Sequence, residues 1–337
     1  MNLRYFLLSI LWLCGGAVAL GQTPEQDFSN RCAATGVIVC QGFDTAAIFS
    51  TGFTPSTSNG SVMTQDTTVK KSGTSSAKCV VPAQTGPDAC GSFVQAFGQT
   101  FGQNSTFYVQ FAQNIDVNVL NQHPASTYFK QIIIASAEGG TCASKELTTV
   151  NLYDRTQPGM YSQCGADTFQ VSIAGGDFLL EQGDQSIALG DPIDSGFNCH
   201  YQTVNNGPTS CATYPAGVWV TYYYKIQIGT FGSANSNIYA WRALPGQGYV
   251  EWIKMTNHTL LNNEAGTGFN IADLLNYYTS RNGSVAYGST GNTWYDELIV
   301  STQPIAAPMS GNTIVPAPAP VMFAGMKQVS GQILRVQ

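Results

Sequence analysis

The sequence predicts an all-β chain, two antiparallel sheets packed as a sandwich or jelly roll. Three observations lead there. Polar and apolar residues alternate with period two through segments rich in β-branched and aromatic types, the pattern of strands with one buried face. Clusters of Gly, Asn and Ser, which suit turns, separate these segments. Residues 22–305 have the length of one large β-sandwich or two small domains, and the lack of a Pro/Ser-rich linker within them favours one β domain.

The strands read off in order. The stretch 107–115 (FYVQFAQNI) is followed by 129–135, and alternation over YFKQIII (128–134) places Tyr128, Lys130, Ile132 and Ile134 on one side and Phe129, Gln131 and Ile133 on the other. Lys130 and Gln131 therefore cannot both face a groove without a bulge, and Gln131 is the favoured one. Segment 146–153 (ELTTVNLY) continues to Arg155 and puts Asn151, Tyr153 and Arg155 together, opposite Glu146, Thr148, Val150 and Leu152. Segments 219–228 (WVTYYYKIQI), 238–243 (IYAWRA) and 293–301 (TWYDELIVS) complete the clear strands. Between them, 270–278 carries Ile271, Leu274, Leu275 and Tyr278 at helical spacing with Asn270 as a candidate cap, so its pattern leaves helix and strand both open. Trp219, Trp241, Trp252 and the run Tyr222-Tyr223-Tyr224 read as core and sheet aromatics.

The flanks differ from this domain. Residues 1–21 combine Arg4, an apolar run over 5–13 and a small-residue cleavage pattern at 17–21, which reads as a secretory signal and predicts a secreted chain. Residues 306–337 begin with a Pro/Ala-rich stretch that reads as a linker and tail. The formal net charge of −6 becomes −7 without Arg4, and only 10% of residues are charged. An acidic, sparsely charged chain argues against a nucleic-acid partner, and no other run has the length to span a membrane. Without Cys14 eight cysteines remain, an even number that suits disulfides in an exported protein. Sequence proximity suggests Cys32–Cys40, Cys79–Cys90, Cys142–Cys164 and Cys199–Cys211, and no C-x-x-C pair favours zinc instead.

YFKQIII, Glu146-Leu147 with Asn151-Leu152-Tyr153-Asp154-Arg155, Met160-Tyr161-Ser162-Gln163-Cys164-Gly165 and the closing TWYDELIVS together resemble secreted proteins of the concanavalin A-like lectin/glucanase superfamily, closest to its polysaccharide-lyase-like members. The resemblance spans roughly Cys40 to Pro308. It implies a concanavalin A-like jelly roll with one sheet curved around a glycan groove, and it tips 269–279 towards a strand. In alginate lyases of this superfamily a Gln-Ile-His strand and a late-strand tyrosine carry the chemistry. Gln131-Ile132-Ile133 stands in that place here, with Ile133 where the histidine belongs. Ser144-Lys145-Glu146-Leu147-Thr148 likewise lacks both arginines of the Arg-(Ser/Thr)-Glu-Leu-Arg motif and follows the glutamine strand.

Uronate β-elimination needs donors that neutralise the sugar carboxylate and proton-transfer groups for C5 and the leaving oxygen. Gln131, Asn151, Arg155 and Tyr277 form the expected catalytic set. Lys130, Glu146, Tyr153, Tyr161, His200 and Tyr278 are the expected substrate-binding residues. Structural roles compete: Lys130 or Arg155 can pair with Glu146 or Asp154, and His200 sits beside Cys199. Asp44 and Asp296 are the candidate ligands of a structural calcium ion, the only cofactor considered and not required for the chemistry. No Glu-x-Asp-x-x-Glu strand is present, which ranks hydrolysis below elimination. The expectation is a monomeric polysaccharide lyase acting on a uronate-containing polysaccharide, with a non-catalytic glycan-binding module as the alternative.

Overall fold

The structure, a computed structural model, describes residues 22–120, 122, 128–135, 146–152, 158–163, 170–174, 177–179, 215–231, 233–259, 268–278 and 281–308. For 128–129, the strands between 146 and 179, 251–256 and 258–259 the backbone alone is described. The helices are α1 (Pro24–Cys32), α2 (Ala46–Thr51) and α3 (Val117–Leu120). The first strands are β1 (Val37–Gln41), β2 (Phe53–Thr54), β3 (Thr64–Asp66), β4 (Ser76–Val81), β5 (Asp88–Phe101) and β6 (Thr106–Ile115). Then follow β7 (Tyr128–Ala135), β8 (Glu146–Leu152), β9 (Pro158–Gln163), β10 (Gln170–Ala174) and β11 (Asp177–Leu179). The last are β12 (Val220–Gln227), β13 (Ala234–Ala243), β14 (Val250–Thr259), β15 (Phe269–Tyr278) and β16 (Gly291–Ser301).

Two antiparallel sheets result. The first runs β14-β13-β12-β6-β16-β4-β3, with β1 also on β16; the second runs β11-β10-β9-β8-β7-β15-β5-β2. The ambiguous segment 269–278 is a strand because it lies between β7 and β5, where ladder bonds and a buried face on Ala272, Leu274 and Tyr278 outweigh its helical spacing. Phe107, Phe111, Tyr222, Tyr224 and Ile226 from the first sheet meet Phe93, Phe101, Ile132, Leu274 and Phe269 from the second in one core. Full burial of each such side chain contributes about 1.5–3 kcal/mol, enough over a core of this size to offset the ordering of long, non-local strands.

Two disulfides match the expected neighbours. Cys79–Cys90 joins β4 of one sheet to β5 of the other, and Cys32–Cys40 ties α1 to β1. The other four cysteines, Cys142, Cys164, Cys199 and Cys211, lie outside the described residues. The helix α1 starts at Thr23, whose hydroxyl accepts from Gln26 N–H at 3.2 Å while the Gln26 side chain accepts from Thr23 N–H at 3.1 Å. At its other end Arg31 enters a buried ion cluster, 2.8 Å from Asp27 and 2.7 Å from Glu297, with Lys71 also on Glu297. Glu297 has φ 52°, at the irregular step where β16 exchanges its neighbour β4 for β1. No helix among the described residues is long and apolar enough to cross a membrane.

Candidate active site

The second sheet is offset by a bulge where the sequence reading had placed the chemistry. Lys130 pairs with Tyr277 on one side and Val150 on the other, and Ile132 pairs with Leu274 and Thr149. Between those two rungs β8 advances one residue, β7 two and β15 three. An extra residue bends a strand and resets which side chains face which way. Gln131 and Ile132 are consequently both fully buried, while Lys130 takes the outer face with its rung partner Tyr277. This corrects the expectation for Gln131. The bulge anticipated as a way to bring Lys130 and Gln131 to one face instead sends Gln131 inward beside Ile132.

Beneath the bulge lies a polar bridge between the sheets. The Gln131 amide donates to Gln113 and its side chain hydrogen-bonds the Tyr222 hydroxyl. The Tyr295 hydroxyl lies 2.7 Å from the carbonyl oxygens of both Gln131 and Leu275, a donor shared by two acceptors that the offset rungs leave in the core. The Thr293 hydroxyl donates to Asn276 Oδ1 at 2.8 Å, so β16 holds β15 a second time. Burial pushes Tyr222 and Tyr295 well above the ordinary phenol range, which keeps both as neutral hydroxyls. The strand TWYDE, read in the sequence as a fold signature, thus also pins the backbone that carries the outer residues.

On the outer face the Lys130 ammonium stands 5.3 Å from the centre of the Tyr277 ring. Lys130 is only 8% exposed and Tyr277 half-buried, so the pair is partly desolvated and its cation–π attraction exceeds that of a fully solvated one. Asp273, also half-buried, pairs with Ile133 and Val94 on the same face. Ladder pairing continues these rows: Val150 and Gly159 extend the Lys130 row, and Thr148 and Tyr161 extend the Asp273 row. Glu146 pairs with Ala135 at the next outer position of β8. Tyr161 and Glu146 therefore occupy backbone positions on the face of Lys130. Asn151 pairs with Phe129 and so belongs to the opposite row, which corrects its expected grouping with the catalytic residues.

Tyr278 points into the core, 1% exposed and packed 4.7 Å from the Arg281 guanidinium, not towards substrate. Strand alternation after Tyr277 requires this. Arg281 lies between Tyr278 and Tyr287 and donates to the carbonyls of Pro82 and Ala83 at 2.7 and 2.8 Å, so it braces the end of the sandwich. Tyr153, Arg155 and His200 lie outside the described residues.

Asp44 and Asp296 do approach one segment, as expected where first and last strands pair, but through hydrogen bonds. Asp296 Oδ2 accepts from the N–H groups of Lys71 and Ser72 at 2.9 and 3.2 Å, and Asp44 Oδ1 accepts from Thr74 and Ser75. Their oxygens clamp the two ends of segment 71–75 and meet N–H donors where a calcium ion would need open lone pairs. Among the described residues no group of three or more His, Cys, Asp and Glu side chains gathers as a metal site.

Two residues escaped the sequence reading. Asp273 was hidden because helix and strand were both open for its segment, and the alternation of 273, 275 and 277 would have exposed it. Tyr295 was read only as part of the closing strand TWYDELIVS, and nothing in its local pattern shows which carbonyls it reaches across the sandwich.

Comparison with known proteins bears out the fold. A PL-14 alginate lyase from Aplysia kurodai superposes with a TM-score of 0.52 at 9% identity, over 80% of this chain and all of that one. An endo-β-1,4-glucuronan lyase from the fungus Trichoderma reesei follows at a TM-score of 0.45 and 14% identity, over 73% of this chain and 90% of the other. No protein-family model matches the sequence. No curated protein does either. The chain has a jelly-roll sandwich fold of two antiparallel sheets, the fold it shares with the Aplysia kurodai enzyme.

Proposed function

We propose that this chain is a secreted polysaccharide lyase that cleaves a uronate-containing glycan by β-elimination on the outer face of the second sheet. The observation that carries this reading is the Lys130–Tyr277 pair, an ammonium over a phenol on paired rungs of a braced sheet. Lys130 is placed to neutralise the C6 carboxylate, which stabilises the charge that develops as the C5 proton leaves. Tyr277, in its phenolate form, takes that proton and becomes the phenol. The C5–H electrons form the C4–C5 double bond, the C4–O bond breaks, and the departing oxygen is protonated by the same phenol when both groups lie on one face of the sugar. The 8% exposure of Lys130 limits competing hydration of the ammonium. Export agrees with the disulfides and with the apolar leader sequence.

The test is ultraviolet absorbance of unsaturated uronate on a panel of uronate polysaccharides. Lys130→Met and Tyr277→Phe are each expected to lower kcat/KM by about 10²-fold or more while the thermal midpoint stays near that of the parent. Glycan binding without product from any member of the panel would replace this reading with a non-catalytic glycan-binding module.

A further inference from the structure

A cavity of about 540 Å³ opens at the edge of the first sheet, where β3 is the last strand of the row. Trp294 forms its floor. Tyr295 turns into the core, so alternation puts Trp294 on the outer face of this sheet, on the far side of the sandwich from the Lys130–Tyr277 pair. Lys78 pairs with Trp294 on one side and Thr64 on the other, so the three stand in one row across β16, β4 and β3. Asp66 completes the wall and is fixed by its neighbours. Its Oδ1 accepts from the N–H groups of Thr68 and Val69 at 2.8 and 3.1 Å, and its Oδ2 from the Trp294 indole N–H at 2.9 Å. Burial raises the Asp66 carboxyl, but these hydrogen bonds and the Lys78 charge outweigh it and hold the group ionised, below its ordinary range. The Lys78 ammonium is less committed. It stands 5.8 Å from the centre of the Trp294 ring and 3.7 Å from Asp66 Oδ2, too far for a hydrogen bond, and it donates none among the described residues.

A carboxylate has about four acceptor sites, and the three N–H groups leave Asp66 Oδ2 able to accept once more. An ammonium with unspent donors therefore faces a carboxylate with an unspent acceptor across a gap that neither closes. A ligand that both accepts and donates fits this gap. Hydroxyls on adjacent sugar carbons do so, one accepting from Lys78 while its neighbour donates to Asp66. We propose that this cavity is a second, non-catalytic sugar-binding site, and that it takes a neutral sugar. The opposite charges of Lys78 and Asp66 offset one another, so a uronate drawn to the ammonium is repelled by the carboxylate beside it, whereas a neutral sugar meets no such repulsion. The volume lies within the roughly 300–1,000 Å³ of small-ligand sites and suits a mono- or disaccharide. Thr64, Thr67 and Thr68 are exposed and bring further hydroxyls to the rim. Trp294 is 8% exposed, so it serves as a rigid floor and the polar pair carries recognition. An acceptor already locked by three N–H groups loses little freedom when a ligand arrives, which favours binding. The site stands without the lyase reading. On an active lyase, a neutral branch held here would keep the polymer at the protein surface and raise its effective concentration at the other sheet.

The experiment follows the indole N–H resonances of the folded full chain by NMR while neutral disaccharides of glucose, galactose, mannose and xylose are titrated in, each beside its uronate counterpart where one exists. The Trp294 resonance is identified by its loss in Trp294→Phe. Saturable movement of that resonance with at least one neutral sugar, stronger than with the matching uronate, supports the proposal. Lys78→Met and Asp66→Asn are each expected to raise Kd by about tenfold or more, the loss of one hydrogen bond to a charged group. Each protein is checked by its thermal midpoint, and either variant carries the test if the other fails to fold. No movement with any neutral sugar, an equal or larger response to the uronates, or a Kd unchanged in a folded Lys78→Met or Asp66→Asn protein overturns it. Lys130→Met should leave this titration as it is in the parent, and loss of the response in that variant would place the sugar on the other sheet and refute a second site. Unsaturated product is scored separately, so sugar binding here without cleavage removes the lyase reading and leaves this site intact.

Discussion

Replacing Tyr295 with phenylalanine removes one oxygen and leaves the ring, so the core keeps its packing and no cavity of note forms. What disappears is the donor 2.7 Å from the Gln131 and Leu275 carbonyls. Both acceptors are interior, and no water replaces the hydroxyl in a site where Tyr295, Gln131 and their neighbours are fully buried. A buried acceptor deprived of its partner costs about 1–3 kcal/mol. At about 2 kcal/mol the midpoint of thermal unfolding falls by roughly 4–8 °C for a domain of this size. The same carbonyls belong to the bulged residues beside Lys130 and Tyr277, so the rung that aligns ammonium and phenol loosens. Misplacement of reacting groups lowers kcat more than it raises KM, and a fall in kcat on the order of tenfold is expected. Calorimetry and initial rates of unsaturated-product formation check both parts. A Tyr295→Phe protein that melts within a degree of the parent and turns over at the parental rate would refute the idea that this hydroxyl braces the site.

Three further outcomes are expected. The paired change Cys79→Ser and Cys90→Ser removes the inter-sheet disulfide and should cost about 2–4 kcal/mol by chemical denaturation, whereas a loss below 0.5 kcal/mol, roughly the level of a surface change, would show that the sheets need no covalent tie. Glu297→Gln leaves the buried Arg31 and Lys71 charges short of a partner and should destabilise by about 3–5 kcal/mol at neutral pH. Burial raises the Glu297 carboxyl, but Lys71 and Arg31 outweigh it and hold the group below its ordinary 4.5, so its contribution is complete above that value and is lost as pH falls through the lower folded value. The stability gap between parent and Glu297→Gln should accordingly narrow on acidification from about pH 6 to about pH 3, and a gap independent of pH would contradict the ion-cluster account.

The strands 107–115, 129–135, 219–228 and 293–301 were legible because period-two alternation of aromatic and β-branched residues is a local property, read without knowing the partner strand. Disulfides Cys32–Cys40 and Cys79–Cys90 were legible for a similar reason, since each closes a short loop. Segment 270–278 was not: Ile271, Leu274, Leu275 and Tyr278 fit a helix locally, and only β5 and β7 on either side make it a strand. Asp44 and Asp296 were correctly brought to one region, but whether they would meet a cation or the backbone of 71–75 depended on a loop whose path the sequence does not encode locally.

By itself the sequence determined a β-sandwich and its main strands, and it offered a pool of residues suited to uronate chemistry. The tertiary structure alone decided which of that pool faces outward. A single residue of offset between β8, β7 and β15 reverses the facing of Gln131 relative to simple alternation, buries it against Gln113 and leaves Lys130 with Tyr277 outside. The register of a strand is set by its neighbours, and the side-chain period of two turns a one-residue shift into a change of face.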